Sequence, residues 1–149
     1  FKFISEQINE NNLKGANYEV IKGSWGEPAI SDLNLRDEYR KALLTIVPLK
    51  ESLQPSGQSV TLQSISCGTP VIISTTKGFW DKDNFIDGKN IFFAKENNLE
   101  YWTKKIKNIL ELPKNEYELI SNKGIETIKG TYDLEKFSKE IENILIKGD

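Results

Sequence analysis

The sequence of 149 residues contains no histidine, no methionine and a single cysteine. The absence of histidine removes the commonest general base and the commonest zinc ligand, so any chemistry must use carboxylates, hydroxyls, amides, lysine or arginine. The single cysteine, Cys67, excludes an intrachain disulfide and a cysteine-based metal cage, which fits a reducing compartment. We therefore expect no metal, no other cofactor, and a cytoplasmic location that includes the inner face of a membrane.

A strong charge of one sign and a long apolar run are also missing. The 20 basic and 22 acidic residues give a formal net charge of −2, which provides no basic field to attract nucleic acid. No apolar run approaches the roughly 20 residues that span a bilayer. We expect neither a nucleic-acid partner nor an integral membrane segment in this chain. Because it begins at Phe1 and lacks methionine, we also expect it to be part of a longer protein.

Apolar runs alternate with helical periodicities along the chain. The runs predict strands at 1–5, 18–21, 43–49, 69–74 and 90–94. Helices are predicted at 33–42, capped by Ser31 or Asp32, and at 58–68, where Gly68 can take a left-handed conformation. From Leu99 onward, three apolar stripes with helical spacing follow. Strands alternating with helices predict an α/β fold, with a parallel sheet between two helical layers and a helical C-terminal tail.

The loop after the strand predicted at 43–49 carries the most chemistry. Ligands of open parallel sheets bind beyond the carboxyl ends of the strands, and a helix N-terminus offers unpaired N–H groups and a partial positive charge. We predict that backbone amides at the start of this helix cradle a phosphate or diphosphate, namely those of Ser56, Gly57, Gln58 and Ser59. Lys50 and Lys77 are the cations predicted to assist them. The alternative is that Gly57 makes a turn and Ser56 caps a helix.

Ser59 and Gln63 are four residues apart, so they share one face of the predicted helix. This polar stripe can bond the hydroxyls of a ribose or sugar, or it can face water. Cys67 is small and has no partner base, so it is interpreted as a packing residue.

Residues 43–74, LLTIVPLKESLQPSGQSVTLQSISCGTPVIIS, resemble the signature of the family-four (group 1) GT-B glycosyltransferases. In that signature a strand ending in proline is followed by Glu-Ser, a glycine, a helix and then Cys-Gly-Thr-Pro-Val, as at 67–71. The upstream segment 20–23 with Tyr39 and Ala42 is similar to the family's strand-glycine and helix-Tyr-Ala pattern. The downstream segment 88–91, Gly-Lys-Asn-Ile, resembles its Asp-Gly-x-Asn-Gly stretch. The resemblance covers nearly the whole chain.

The resemblance implies retaining transfer of a sugar from a nucleotide-sugar donor to an unidentified acceptor. It implies two Rossmann-like domains, of which residues 1–149 are the single donor-binding domain and an N-terminal acceptor domain lies outside this chain. Glu51 matches the first glutamate of the family's Glu-x7-Glu motif, which contacts the donor sugar. Gln63 falls on the second, which holds the ribose, and the loop of Gly23 and Trp25 lies near the base. The isolated domain is expected to be inactive.

Two departures from the family pattern keep other interpretations open. The loop before the helix is longer than in the family. The second glutamate of the motif is replaced by Gln63, which can bond a hydroxyl only without charge assistance. A non-catalytic nucleotide or nucleotide-sugar binding module is therefore an alternative. An α/β interaction domain or receiver-like domain is another, although a receiver needs an acidic cluster and Glu51 stands alone. A phosphorylase-like or epimerase-type protein of the same architecture is a further alternative, which the absence of histidine makes less attractive.

Overall fold

The computed structural model describes residues 19–21 and 30–147. The elements within these ranges are, in chain order, α1 (Asp32–Lys41), β1 (Thr45–Val47), α2 (Gln58–Ser66), β2 (Val71–Ser74), β3 (Phe92–Ala94), α3 (Leu99–Leu110), α4 (Lys114–Thr131) and α5 (Leu134–Lys147). The strand predicted at 1–5 lies outside the described residues. The strand predicted at 18–21 is wrong over residues 19–21, which pair with no described strand and leave Val20 and Ile21 exposed.

The three strands form one parallel sheet in the order β1-β2-β3, so that β2 is central. Ile72 of β2 pairs with Ile46 on one side and with Phe92 on the other. Val71, Ile72 and Ile73 have no exposed surface, as expected for a parallel strand covered on both faces. All three strands were predicted in the right places, although each is shorter at one or both ends than its apolar run.

Each face of the sheet carries its own apolar cluster. Ile72 and Phe92 point to one face, where they meet Trp102, Ile106 and Ile109 of α3. The alternate residues of the strands point to the other face, where α2 and the C-terminal half of α4 cover them; this cluster includes Val47, Val71, Ile73, Ile91, Ile65 and Ile128. The sheet therefore lies between two helical layers, which confirms the predicted α/β/α arrangement.

The Cys-Gly-Thr-Pro-Val segment at 67–71 forms the turn that returns the chain from α2 to the central strand. Gly68 has a φ of 88° and follows the last turn of α2, as predicted for a left-handed helix end. The buried Thr69 hydroxyl donates to the Tyr39 carbonyl of α1, and the Thr45 N–H donates to the Pro70 carbonyl at 3.0 Å. The segment thus joins α1, α2, β1 and β2.

Tight contact between α2 and α4 depends on Gly124, which is buried in the middle of α4. A Cβ atom at this position would lie 2.8 Å from Ile65 Cγ2 and 3.2 Å from the Asn90 carbonyl oxygen. Gly130 lies on the same helix, and a Cβ there would meet nothing within 4 Å. The two glycines therefore form a matched pair.

We expect Gly124→Ala to lower the free energy of unfolding by up to about 2 kcal/mol, because overpacking costs about 1–3 kcal/mol and the better helix propensity of alanine offsets about 1 kcal/mol. Gly130→Ala should leave stability unchanged or raise it by up to about 1 kcal/mol, since alanine is the better helix former. Urea unfolding of both variants measures the two values. Equal effects in the two variants would show that the helix contact does not require a glycine.

The third apolar stripe forms α5, but it does not join either cluster. Its apolar side chains are exposed, among them Leu134 at 76%, Phe137 at 59% and Leu145 at 77%. In the part of the chain that the structure describes, none of the helices combines the length and apolar character needed to cross a bilayer.

Candidate functional site

The carboxyl ends of the three parallel strands meet at one edge of the sheet, which is where ligands bind in open α/β folds. The loop from Pro48 to Gly57 leaves β1 at this edge, and the segment from Thr75 to Trp80 leaves β2 beside it. The Leu49 N–H donates to the buried Ser74 hydroxyl at 2.8 Å, which holds the end of β1 against the end of β2. We call this edge, with its two segments, the carboxyl edge.

Helix α2 begins at the carboxyl edge with uncapped backbone amides. Gly57 is the N-cap residue, and no side chain accepts a hydrogen bond from the first turn. Over the described ranges, no protein acceptor receives the N–H groups of residues 56–60. The first turn also contains no acidic residue. Unpaired N–H groups and the positive end of the helix dipole together favour an anion at this position.

Gly57 seats this turn directly on the ends of two strands. Its φ of 76° lies in the left-handed region that favours glycine. A Cβ here would lie 3.1 Å from both Ile73 Cδ1 and Val47 Cγ1, and 3.4 Å from Leu49 Cδ1. The amides of the α2 start are therefore held over β1 and β2 by close apolar packing of a residue without a side chain.

Glu51 is exposed, and it lies at the same edge as the start of α2. Its Oε1 accepts a hydrogen bond of 3.0 Å from the backbone N–H of Lys77. Beside it, the Gly78 N–H donates to the Ser52 carbonyl at 2.9 Å. The structure thus brings together Glu51 and the segment after β2, which are 26 residues apart in sequence.

The two predicted cations, Lys50 and Lys77, have exposed side chains at the carboxyl edge. Neither forms a salt bridge to another residue of the described ranges. Lys50 precedes Glu51 in sequence, and the backbone N–H of Lys77 donates to Glu51. Lys82 Nζ donates to the Lys77 carbonyl at 3.2 Å and places a further ammonium group at this edge.

Gln63 lies further along α2, six residues after Gly57, which corresponds to a rise of about 9 Å. Its Oε1 accepts a hydrogen bond of 3.5 Å from the hydroxyl of Tyr39 on α1. Burial raises the pKa of Tyr39, and the neighbouring Cys67 raises it further, so Tyr39 remains a neutral donor. Ser59 shares the exposed face of Gln63, as its spacing predicted. The structure uses Gln63 at the contact between α1 and α2.

Gly23 and Trp25, predicted to lie near a nucleotide base, fall outside the described residues. Cys67 is half-buried at the C-terminal end of α2 and is not part of the carboxyl edge.

The loop after the carboxyl edge is anchored by aromatic packing and by one acidic residue. Phe79 contacts Trp80 and Phe85, with ring centroids 4.3 Å and 5.9 Å apart. The Tyr132 hydroxyl donates to Asp81, and burial together with this carboxylate raises the pKa of Tyr132 to about 12. Burial opposes the ionisation of Asp81, but hydrogen bonds from Tyr132 and Asn84 outweigh it and lower the pKa of Asp81. The loop is thereby tied to the end of α4.

The Asp-Gly-x-Asn stretch before β3 has a structural role. Asn90 is buried, and its side chain accepts from the Ile86 N–H and donates to the Asn84 carbonyl and the Thr127 hydroxyl. Asp87 accepts from the Phe93 N–H at 2.9 Å. These contacts lie before β3 and therefore away from the carboxyl edge.

Sequence reasoning missed Ser74 and Gly78, which connect the segments of the carboxyl edge. The signal available was a glycine shortly after a buried strand, in the pair Lys77-Gly78. Its partner is a backbone carbonyl more than 20 residues earlier, which spacing alone does not identify.

No protein-family model matches this chain, and no curated protein matches it. A solved structure that it resembles is that of Anabaena Alr3699/HepE in complex with UDP and glucose, with a TM-score of 0.58 and 17% sequence identity. The match covers 72% of this chain and 28% of that one, so this chain spans little more than a quarter of its structural neighbour. At this identity the likeness is one of fold. It confirms the prediction of a Rossmann-like α/β/α domain of the kind that forms half of a GT-B fold.

Proposed function

We propose that this chain is the nucleotide-sugar-binding domain of a retaining GT-B glycosyltransferase that transfers a sugar to an acceptor when joined to a second, acceptor-binding domain. The observation that carries the proposal is the uncapped start of α2 beside Glu51 at the carboxyl edge. The fold likeness to Alr3699/HepE, whose structure contains UDP and glucose, supports a nucleoside diphosphate sugar as the ligand class. The single cysteine supports a cytoplasmic location.

In this proposal the backbone amides at the start of α2 bind the diphosphate, with help from Ser56, Gln58 and Ser59. When the bond between the anomeric carbon and the phosphate oxygen breaks, negative charge grows on the departing nucleoside diphosphate. Amides and a helix dipole aimed at that position stabilise the charge without reorganising. Lys50 and Lys77 add neutralising charge, so no metal is needed for this step. Gly23 and Trp25 remain the proposed base contacts.

Glu51 is proposed to fix the donor sugar by accepting hydrogen bonds from its hydroxyls. Its Oε1 is held by the Lys77 N–H, and a carboxylate accepts from hydroxyl donors but repels phosphate. A single carboxylate does not fit the two-carboxylate design of retaining glycosidases. In this proposal the main role of the domain is therefore to stabilise the leaving group. The acceptor is bound by the second domain.

Calorimetric titration of the full-length protein with UDP, GDP and ADP tests the proposal. We expect at least one diphosphate to bind with a Kd of about 10 µM to 1 mM, or about −7 to −4 kcal/mol. The corresponding monophosphate should bind about tenfold or more weakly, because it leaves charge-assisted bonds to the amides unmade. A folded protein that gives no saturable heat with any of the three would exclude the donor site.

A non-catalytic nucleotide-sugar binding module is the second candidate. Gln63 favours it, because the position of the family's second glutamate is uncharged and is engaged by Tyr39. Such a module would bind a diphosphate in the titration and would release no UDP from UDP-sugars in the full-length protein.

A further inference from the structure

We propose that the segment Thr75–Gly78, the strap, is a positioning element that fixes the Glu51 carboxylate from the neighbouring strand. This inference rests on the proposed function and adds to it the residues that set the geometry of the sugar contact. Gly78 is the positioning residue on which the strap depends. This role is assigned from the contacts between the strap and the loop that carries Glu51, because Gly78 itself would not touch a ligand.

The strap continues the most deeply buried strand of the sheet. It continues β2, whose residues Val71–Ile73 have no exposed surface. Its first N–H, that of Thr75, donates to the Ala94 carbonyl of β3 at 2.8 Å, and Thr76 is buried. The base of the strap is therefore held by β3, and the residue before it, Ser74, accepts a hydrogen bond from the Leu49 N–H on the β1 side.

The last two residues of the strap contact the loop that carries Glu51. The Lys77 N–H donates to Glu51 Oε1 at 3.0 Å, and the next N–H, that of Gly78, donates to the Ser52 carbonyl at 2.9 Å. Over the described ranges, Glu51 Oε2 receives no hydrogen bond. One carboxylate oxygen is thus held by the backbone and the other can receive a ligand hydroxyl.

Gly78 permits this contact for reasons of space. Its φ is outside the left-handed region, so backbone conformation does not demand a glycine. A Cβ, however, would lie 2.5 Å from the Leu53 carbonyl oxygen and 2.8 Å from that of Gln54. Since both contacts are to backbone atoms, any larger residue must push the two loops apart.

The physical consequence is preorganisation of an exposed side chain. A glutamate on a loop loses rotamer entropy when a ligand fixes it, and this loss weakens binding. A backbone donor in the strap, which continues the buried strand β2, fixes the carboxylate before the ligand arrives. The side chain at position 77 is not required for this, because the donor is the main-chain N–H.

The test compares Gly78→Ala with Gly130→Ala in the full-length protein, using UDP and UDP-glucose as probes. We expect Gly78→Ala to weaken UDP-glucose about tenfold or more while UDP changes by less than about threefold, because UDP uses the α2 amides. Gly130→Ala, where a Cβ meets nothing within 4 Å, should change neither affinity. Equal weakening of both probes by Gly78→Ala would overturn the proposal.

A double-mutant cycle shows whether Gly78 acts through Glu51. Glu51→Ala and the double variant should bind UDP-glucose equally, because the strap has no carboxylate left to position. Additive effects would contradict the proposal. If wild type binds none of UDP, GDP and ADP, the proposed function fails, and the amide exchange measurement below then tests the strap by itself.

Amide hydrogen exchange at Lys77 needs neither a ligand nor a folded Gly78 variant. We expect Glu51→Ala to speed exchange of the Lys77 N–H about tenfold or more, while the Thr75 N–H, bonded to Ala94, keeps its protection. Unchanged exchange at Lys77 would show that the carboxylate and the strap are not bonded in solution, and the positioning role would be rejected.

Discussion

Glu51→Gln in the full-length protein is expected to lower the rate of sugar transfer about 100- to 1000-fold. The size follows from the cost of removing one preorganised electrostatic contact to the reacting group. The side chain is exposed, so the substitution should not change the free energy of unfolding by more than about 0.5 kcal/mol.

Glutamine is the informative replacement because it preserves the scaffold. It keeps a carbonyl oxygen that can accept from the Lys77 N–H, and it differs from glutamate only in the second oxygen. That oxygen becomes an NH₂ group, which donates where a sugar hydroxyl needs an acceptor. The variant therefore removes the charge and one acceptor while the backbone contact remains.

The readout is release of UDP from UDP-glucose, which requires no knowledge of the acceptor. Glu118→Gln is the matched control, since Glu118 is an exposed residue of α4 whose partner is Lys114 on the same helix. The control should retain full activity. A Glu51→Gln rate within about threefold of wild type would remove Glu51 from the site and would favour a different origin for the catalysis.

The positions of the strands were predicted well, because a strand that is buried on both faces appears in the sequence as a continuous apolar run. In β2 the three consecutive residues Val71, Ile72 and Ile73 are apolar, and the glycine that follows α2, Gly68, lies three residues before this run. The ends of the strands were less predictable. Leu43 continues the apolar run but is exposed, because pairing with β2 starts at Thr45 and not with the first apolar residue.

The candidate site divides into a local part and a part that only the fold assembles. The turn at Gly57 and the start of α2 were predictable, since a glycine before a helix is a local pattern. The bond from Lys77 to Glu51 joins two loops that only sheet pairing makes neighbours. Gln63 differs for another reason: it lies more than about one and a half helical turns after Gly57, the N-cap residue of α2, and its hydrogen bond is with Tyr39.

The exposed stripe of α5 shows the limit of periodicity. Spacing of three and four predicted the helix correctly, yet the same spacing gives no information on what the helix packs against. In α3 the stripe is buried by the sheet, whereas in α5 Phe137 and Leu145 are exposed.

Gly57→Ala is expected to damage both stability and nucleotide binding. An alanine in the left-handed region costs about 1–2 kcal/mol. Here the methyl group would also press on Ile73 and Val47 at 3.1 Å, and such overpacking costs about another 1–3 kcal/mol. For a chain of this size each kcal/mol lowers Tm by about 2–4 °C. Relief of the clash must move the turn that carries the α2 amides, so UDP affinity should fall about tenfold or more.

Gly88→Ala separates the two causes. Gly88 has nearly the same φ, 72°, but a Cβ there meets nothing within 4 Å. The residue lies before β3 and away from the carboxyl edge. Gly88→Ala should lower the free energy of unfolding only by the cost of an alanine in the left-handed region, about 1–2 kcal/mol, and should keep full UDP affinity. Thermal unfolding and calorimetry on both variants give the comparison. If Gly57→Ala binds UDP as tightly as Gly88→Ala does, the diphosphate is not held by the start of α2, because those amides cannot stay in place while the turn beneath them moves.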